Sequence, residues 1–130
     1  LIIGVGMDLV DIARFDKMLE KDNELLVKRL LSDGEMAAFL ALTGDRRRAE
    51  WLAGRFAAKE ALMKALGLDL PQGIGMHDIE VLPDHRGKPG ISLSDAVRRQ
   101  LGFSYRCQLS ITHTAATAGA VVVIEQEVGA

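Results

Sequence analysis

Residues 55–65, Arg-Phe-Ala-Ala-Lys-Glu-Ala-Leu-Met-Lys-Ala, set four charged side chains into an otherwise apolar helical stretch. Glu60 and Lys64 are one turn apart and project from nearly the same face at about 100° per residue. A second stripe, Leu52, Phe56, Lys59, Met63 and Leu66, is spaced four, three, four, three, so Lys59 falls where a core-facing residue is expected. Ionised groups on a buried helix need partners. An intrahelical Glu60–Lys64 pair, with Arg55 and Lys59 extending to water, is one way to supply them. Two further polar clusters interrupt apolar runs. Leu1–Val10 reads as a strand whose glycines permit close backbone approach and whose single carboxylate, Asp8, is a candidate metal ligand or a turn aspartate. Leu109-Ser110-Ile111-Thr112-His113 alternates apolar and polar residues, which puts Ser110 and Thr112 on one face of a strand with His113 at its mouth.

Gly4-Val5-Gly6-Met7-Asp8 with Arg14, the segment from Arg55 to Ala65, and Ser110-Ile111-Thr112-His113 together resemble the signature motifs of the 4′-phosphopantetheinyl transferases. Their order, separation and the short chain are similar to the holo-acyl-carrier-protein synthase branch. The resemblance spans nearly the whole sequence, and its second motif is the distinctive one. It implies transfer of the 4′-phosphopantetheine arm of coenzyme A to a serine of an apo-acyl carrier protein, with release of adenosine 3′,5′-bisphosphate. Asp8 and Glu60 would then hold Mg²⁺, which takes one or two carboxylates plus phosphate oxygens and keeps several waters. Lys64 would stabilise charge on the leaving group, with Glu60 as a candidate acceptor of the serine proton. Arg55 and His113 would contact the nucleotide end, including its 3′-phosphate, and Ser110 the pyrophosphate. Lys59 would face a phosphate or balance charge, a structural role being the alternative. Some relatives carry an acidic residue directly after the motif histidine, but here that residue is Thr114, so no third carboxylate is implied. Small members of the family are homotrimers with active sites at subunit interfaces, and this chain is of the small type.

The remaining sequence fits such an enzyme. With 130 residues and 48% hydrophobic content the chain suits a single domain, residues 1–130, with a core of its own. Cys107 is the single cysteine; its place in an alternating strand suggests a packed thiol and a reducing, cytoplasmic setting. No stretch approaches the roughly 20 apolar residues of a membrane span, and Leu1-Ile2-Ile3 lacks the basic flank of a signal peptide. A net charge of −2 argues against a nucleic-acid binder. Arg46-Arg47-Arg48, just before the long helix, reads as a solvated surface or as phosphate-binding arginines.

The expected elements are a strand over 1–8, then a helix capped by Asp11 that buries Ile12, Phe15 and Leu19. Arg14, Lys17 and Lys21 form a basic stripe on its other side, suited to an acidic carrier. A helix near 24–31, with Leu25, Leu26, Leu30 and Leu31 as its apolar surface, and one capped by Ser32 with Glu35 follow, then the long helix over 49–66, stopped by Gly67. Beyond a loop at 70–75, in which Gly73 and Gly75 serve a turn or a close approach to coenzyme A, come strands at 78–82 and 89–93. A helix between Ser94 and Gly102 leads to strands at 105–112 and 118–125. Strands and helices mix without strict alternation, which predicts an α+β fold with a mainly antiparallel sheet on a long helix. A non-catalytic coenzyme A or nucleotide-binding module, and a different Mg²⁺-dependent phosphotransferase, are the competing functions. The sequence leaves open whether the carrier serves fatty-acid or polyketide synthesis.

Overall fold

A ten-residue strand, β1 (Ile2–Asp11), and a 22-residue helix, α4 (Asp45–Leu66), form the backbone of the computed structural model. It describes residues 1–21, 24–67, 75–102 and 104–127. Between them lie α1 (Ile12–Glu20), α2 (Glu24–Leu30) and α3 (Asp33–Leu40). After α4 come a short 3₁₀ turn (Met76–Asp78), β2 (Ile79–Pro83), β3 (Pro89–Leu93), α5 (Asp95–Leu101), β4 (Tyr105–His113) and β5 (Thr117–Gln126). The strands form two antiparallel sheets, a three-stranded one ordered β1-β5-β4 and the β2-β3 hairpin. The class is the α+β expected.

α4 packs chiefly on β1 and β5, and residue size explains how closely. Its buried face carries Ala53, Ala57, Ala58, Ala61 and Ala65. Opposite, a Cβ on Gly4 or Gly6 would lie 1.9 Å from the carbonyl oxygens of Ala65 and Ala61 respectively. Strand and helix therefore meet backbone to backbone, which only glycine allows. Strand alternation then turns Gly4, Gly6, Asp8 and Val10 toward the helix and Val5, Met7 and Leu9 outward. Those outward residues are 61%, 63% and 66% exposed.

The expected signals at element ends mostly hold. Ser32 and Glu35 form a reciprocal capping box on α3, and Gly67, at φ 68°, closes α4 in the left-handed region. Ser94 caps α5 and Gly102 ends it. Five expectations need correction. β1 continues to Asp11 because pairing with β5 extends to Thr117. Asp11 stands at the N-cap of α1 without a side-chain capping bond, and Leu19 is only partly buried. Leu25 and Leu26 of α2 point outward, leaving Val27, Leu30 and Leu31 to pack. α4 starts at Asp45 rather than near 49, so the arginine run belongs to its first turns instead of lying just before it. The loop reading at 70–74, including Gly73, lies outside the described residues, whereas the Gly75 amide is held by the Asp78 carboxylate at 2.9 Å.

Candidate active site

Lys64 reaches across the β1–α4 contact. Its Nζ donates to Asp8 Oδ1 at 3.0 Å and to the Met7 carbonyl at 3.1 Å. The intrahelical Glu60–Lys64 pairing is thus not the arrangement adopted: the lysine bonds to the strand. Asp8 is largely covered, with 15% of its side chain exposed, while Lys64 stays open at 55%. Glu60, one turn away, is partly buried; burial, and after it the Asp8 charge, push its carboxyl above the usual range, opposed by Lys64 and Arg14. Two carboxylates and one lysine therefore crowd an accessible spot with negative charge in excess. Hard oxygen donors at such a spot suit a divalent cation, and among the described residues no third histidine, cysteine or acid joins them. Water and substrate oxygens would fill the remaining positions.

Arg14 borders this cluster from α1. Its guanidinium lies 4.9 Å from the Phe56 ring centroid and 5.8 Å from that of Phe15, so cation–π contact fixes its stem while its charge bears on Glu60. Arg14, Lys17 and Lys21 are all exposed and line one shallow groove along α1 with Met18. The basic stripe thus leads up to the carboxylates.

Lys59 requires a correction. A phosphate-facing role is not realised: the residue is fully buried, and Nζ donates to Glu35 Oε1 at 2.6 Å, the Leu30 carbonyl at 2.6 Å and the Met76 carbonyl at 3.1 Å. Burial pulls its pKa down, and Glu35 counters this. Glu35 also accepts from the Ser32 and Val81 amides, at 2.9 Å each. Every proton of the ammonium is used, and the structural alternative is the one adopted. Glu35 is the partner sequence reasoning missed; its capping-box spacing was visible, its second task was not.

The arginine run divides similarly. Arg46 joins α1 to the β4–β5 turn, bonding Asp16 at 3.3 Å, Glu50 at 2.9 Å and the Ala115 carbonyl. Arg48 donates to the Leu42 and Leu40 carbonyls at 3.1 and 3.4 Å. Arg47 is exposed. Cys107 is half-buried, and desolvation pushes its thiol up to about 11, which fits an inert packed side chain.

Residues 4–122 match the model of the 4′-phosphopantetheinyl transferase superfamily. The chain belongs to that superfamily. It is 42% identical over 126 residues to the holo-[acyl-carrier-protein] synthase of Halalkalibacterium halodurans, an alignment that takes in 97% of this chain and 98% of the relative. The holo-(acyl-carrier-protein) synthase of Bacillus anthracis, solved in complex with CoA (3′,5′-ADP), is similar at TM-score 0.79 and 38% identity, over 97% of this chain and 98% of that one. The Neisseria meningitidis synthase structure gives TM-score 0.84 at 30% identity, over 97% and 100%.

Of the residues the family resemblance singled out, one copy of this transferase chain gathers Asp8, Glu60, Lys64 and Arg14 and keeps three apart. Arg55 is turned about 140° around α4 from Glu60 and bonds the Val81 carbonyl on β2 at 3.4 Å. Ser110 pairs with Val121, which pairs with Met7, and this row lies on the sheet face turned away from α4. His113 ends β4, exposed, with Nδ1 3.3 Å from the Thr114 carbonyl, two strands from β1 and in the row of Val10.

Proposed function

We propose that the chain is a Mg²⁺-dependent holo-acyl-carrier-protein synthase that moves 4′-phosphopantetheine from coenzyme A to a serine of an apo-acyl carrier protein. The observation that carries this reading is the Asp8–Lys64–Glu60 cluster, held in place by the Gly4–Gly6 contact, in a chain alike over nearly its whole length to synthases of that name. In the reaction the serine hydroxyl oxygen forms a bond to the β-phosphorus, the bond from that phosphorus to the bridging oxygen breaks, and adenosine 3′,5′-bisphosphate leaves. Asp8 and Glu60 would hold Mg²⁺, which supplies neutralising charge for the pyrophosphate. Lys64, free to move from Asp8 to a phosphate oxygen, offsets the charge developing on the leaving group. Glu60, directly or through a metal-bound water, would accept the serine proton. Arg14, Lys17 and Lys21 present positive charge to an acidic carrier beside that glutamate.

The active assembly in this reading is a homotrimer. Val5, Met7 and Leu9 make an exposed apolar row on an edge strand, next to Val121 and Val123 of β5. Such a face calls for a partner surface. Ser110 lies on it, so a neighbouring copy offers a way to bring nucleotide contacts to the carboxylates of another. Among the described residues no helix is long and apolar enough to cross a membrane, and we place the enzyme in the cytoplasm, where a lone free thiol is at home. Incubating the protein with apo-carrier, coenzyme A and Mg²⁺ tests the proposal: the carrier should gain the mass of one phosphopantetheine. Binding of coenzyme A without that gain would leave only a binding module.

A further inference from the structure

Trp51, Arg55 and Lys59 lie one turn apart along α4, and the middle residue is held differently from its neighbours. Its guanidinium carbon lies 4.2 Å from the centroid of the Trp51 ring. Its Nε donates to the carbonyl of Val81, a fully buried residue whose own amide is anchored by Glu35 at 2.9 Å. Trp51 is itself backed by Phe39, with ring centroids 6.0 Å apart, and Phe39 carries Arg48 on it at 5.3 Å. One face of the guanidinium is thus covered and one edge bonded. The four terminal N–H groups have no partner among the described residues. The carboxylate whose charge bears on Arg55 is Glu35, and its oxygens already serve Ser32, Lys59 and Val81. The fork is therefore pre-set and has donors to spare, the condition for bidentate capture of a phosphate.

We propose that Trp51 is a positioning residue for nucleotide recognition: its ring fixes the Arg55 fork so that the terminal nitrogens meet the 3′-phosphate of coenzyme A. This rests on the reading of Arg55 as a 3′-phosphate contact. The ring contributes a flat, rigid surface that keeps water off one face of the cation, and no atom of Trp51 needs to touch the phosphate.

The sequence contains a single tryptophan, so its emission reports directly on this contact. Adenosine 3′,5′-bisphosphate titrated into the full chain should shift or quench that emission, and adenosine 5′-monophosphate at equal occupancy should do so far less. In steady state, Trp51→Leu should raise KM for coenzyme A roughly three- to thirtyfold, with kcat and the KM for dephospho-coenzyme A unchanged, and Trp51→Phe should recover most of the loss. Arg55→Ala, measured alongside, should bring the two donors to similar KM values. If Arg55→Ala erases the discrimination while Trp51→Leu leaves it intact, the positioning role is wrong and the Arg55 reading stands. If Arg55→Ala leaves discrimination untouched, that reading fails and the inference with it. Equal KM increases for both donors in Trp51→Leu would make the tryptophan merely structural. Should Trp51→Leu not fold, equal emission responses to the bisphosphate and monophosphate in the unmodified protein overturn the proposal.

Discussion

Lys59 and Lys64 stand five residues apart on one helix, and they lead opposite lives. Lys59 has no exposure, three hydrogen-bond acceptors within 3.1 Å and a carboxylate partner equally buried. Lys64 has half its side chain in water, one carboxylate at 3.0 Å and a second beside it. A buried ion pair with every donor used ties segments of chain together; here Lys59 and Glu35 bind α2, α3, α4, β2 and the 3₁₀ turn into one unit. A half-exposed lysine beside surplus negative charge has capacity left for something else. The difference shows that residue type within a motif does not assign its role. What remains unsatisfied after folding does.

Breaking the closed side should have the largest effect on stability. Lys59→Met leaves Glu35 charged, buried and unpaired, which should cost about 3–5 kcal/mol, read as a lower denaturation midpoint with an unchanged m-value. Replacing both partners, Lys59→Met with Glu35→Leu, should recover a substantial part of that loss, because the uncompensated charge is gone. Breaking the open side should do the reverse. Lys64→Met removes a pair whose lysine is half in water and which is worth about 1 kcal/mol of stability, yet turnover should fall by roughly a hundredfold as leaving-group charge goes unmatched. A Lys64 variant that melts early and still turns over would erase the contrast between the two lysines.

The smallest expected effect sharpens the border of the open side. Arg14→Ala should raise the KM for the carrier several-fold, and that for coenzyme A much less, with the difference shrinking as salt screens the exposed charges. Matching changes for both substrates, insensitive to salt, would move Arg14 from carrier docking to the nucleotide site.

The contrast also explains what the sequence could convey. Asp8, Glu60 and Lys64 stood out because each interrupts an apolar run, and Gly4 and Gly6 announced the close approach that joins strand to helix; that Lys64 bonds to Asp8 rather than to Glu60 was not legible. Caps at Ser32, Gly67, Ser94 and Gly102 were legible since they depend on neighbours in sequence. The Lys59–Glu35 partnership was not, because 24 residues separate the two and only the packing of α3 on α4 brings them together. The start of α4 was placed too late because three arginines read as a charged surface before the helix, although they are good helix formers and Gly44, at φ 90°, precedes a helix that begins at Asp45. Strand alternation grouped Ser110 with Thr112 correctly, but which face turns from α4 is a tertiary fact.

The most direct test of the central claim, that the open cluster is the reaction centre, is the rate of phosphopantetheine transfer to apo-carrier as Mg²⁺ is varied, with melting followed on the same samples. It would compare the unmodified protein with Asp8→Asn and Glu60→Gln. Each substitution should reduce transfer a hundredfold or more at low Mg²⁺, as loss of an electrostatic contribution to the transition state does, with melting shifted by only a few degrees. Near-normal transfer at low Mg²⁺ by either variant would contradict the account and move the chemistry away from Asp8 and Glu60.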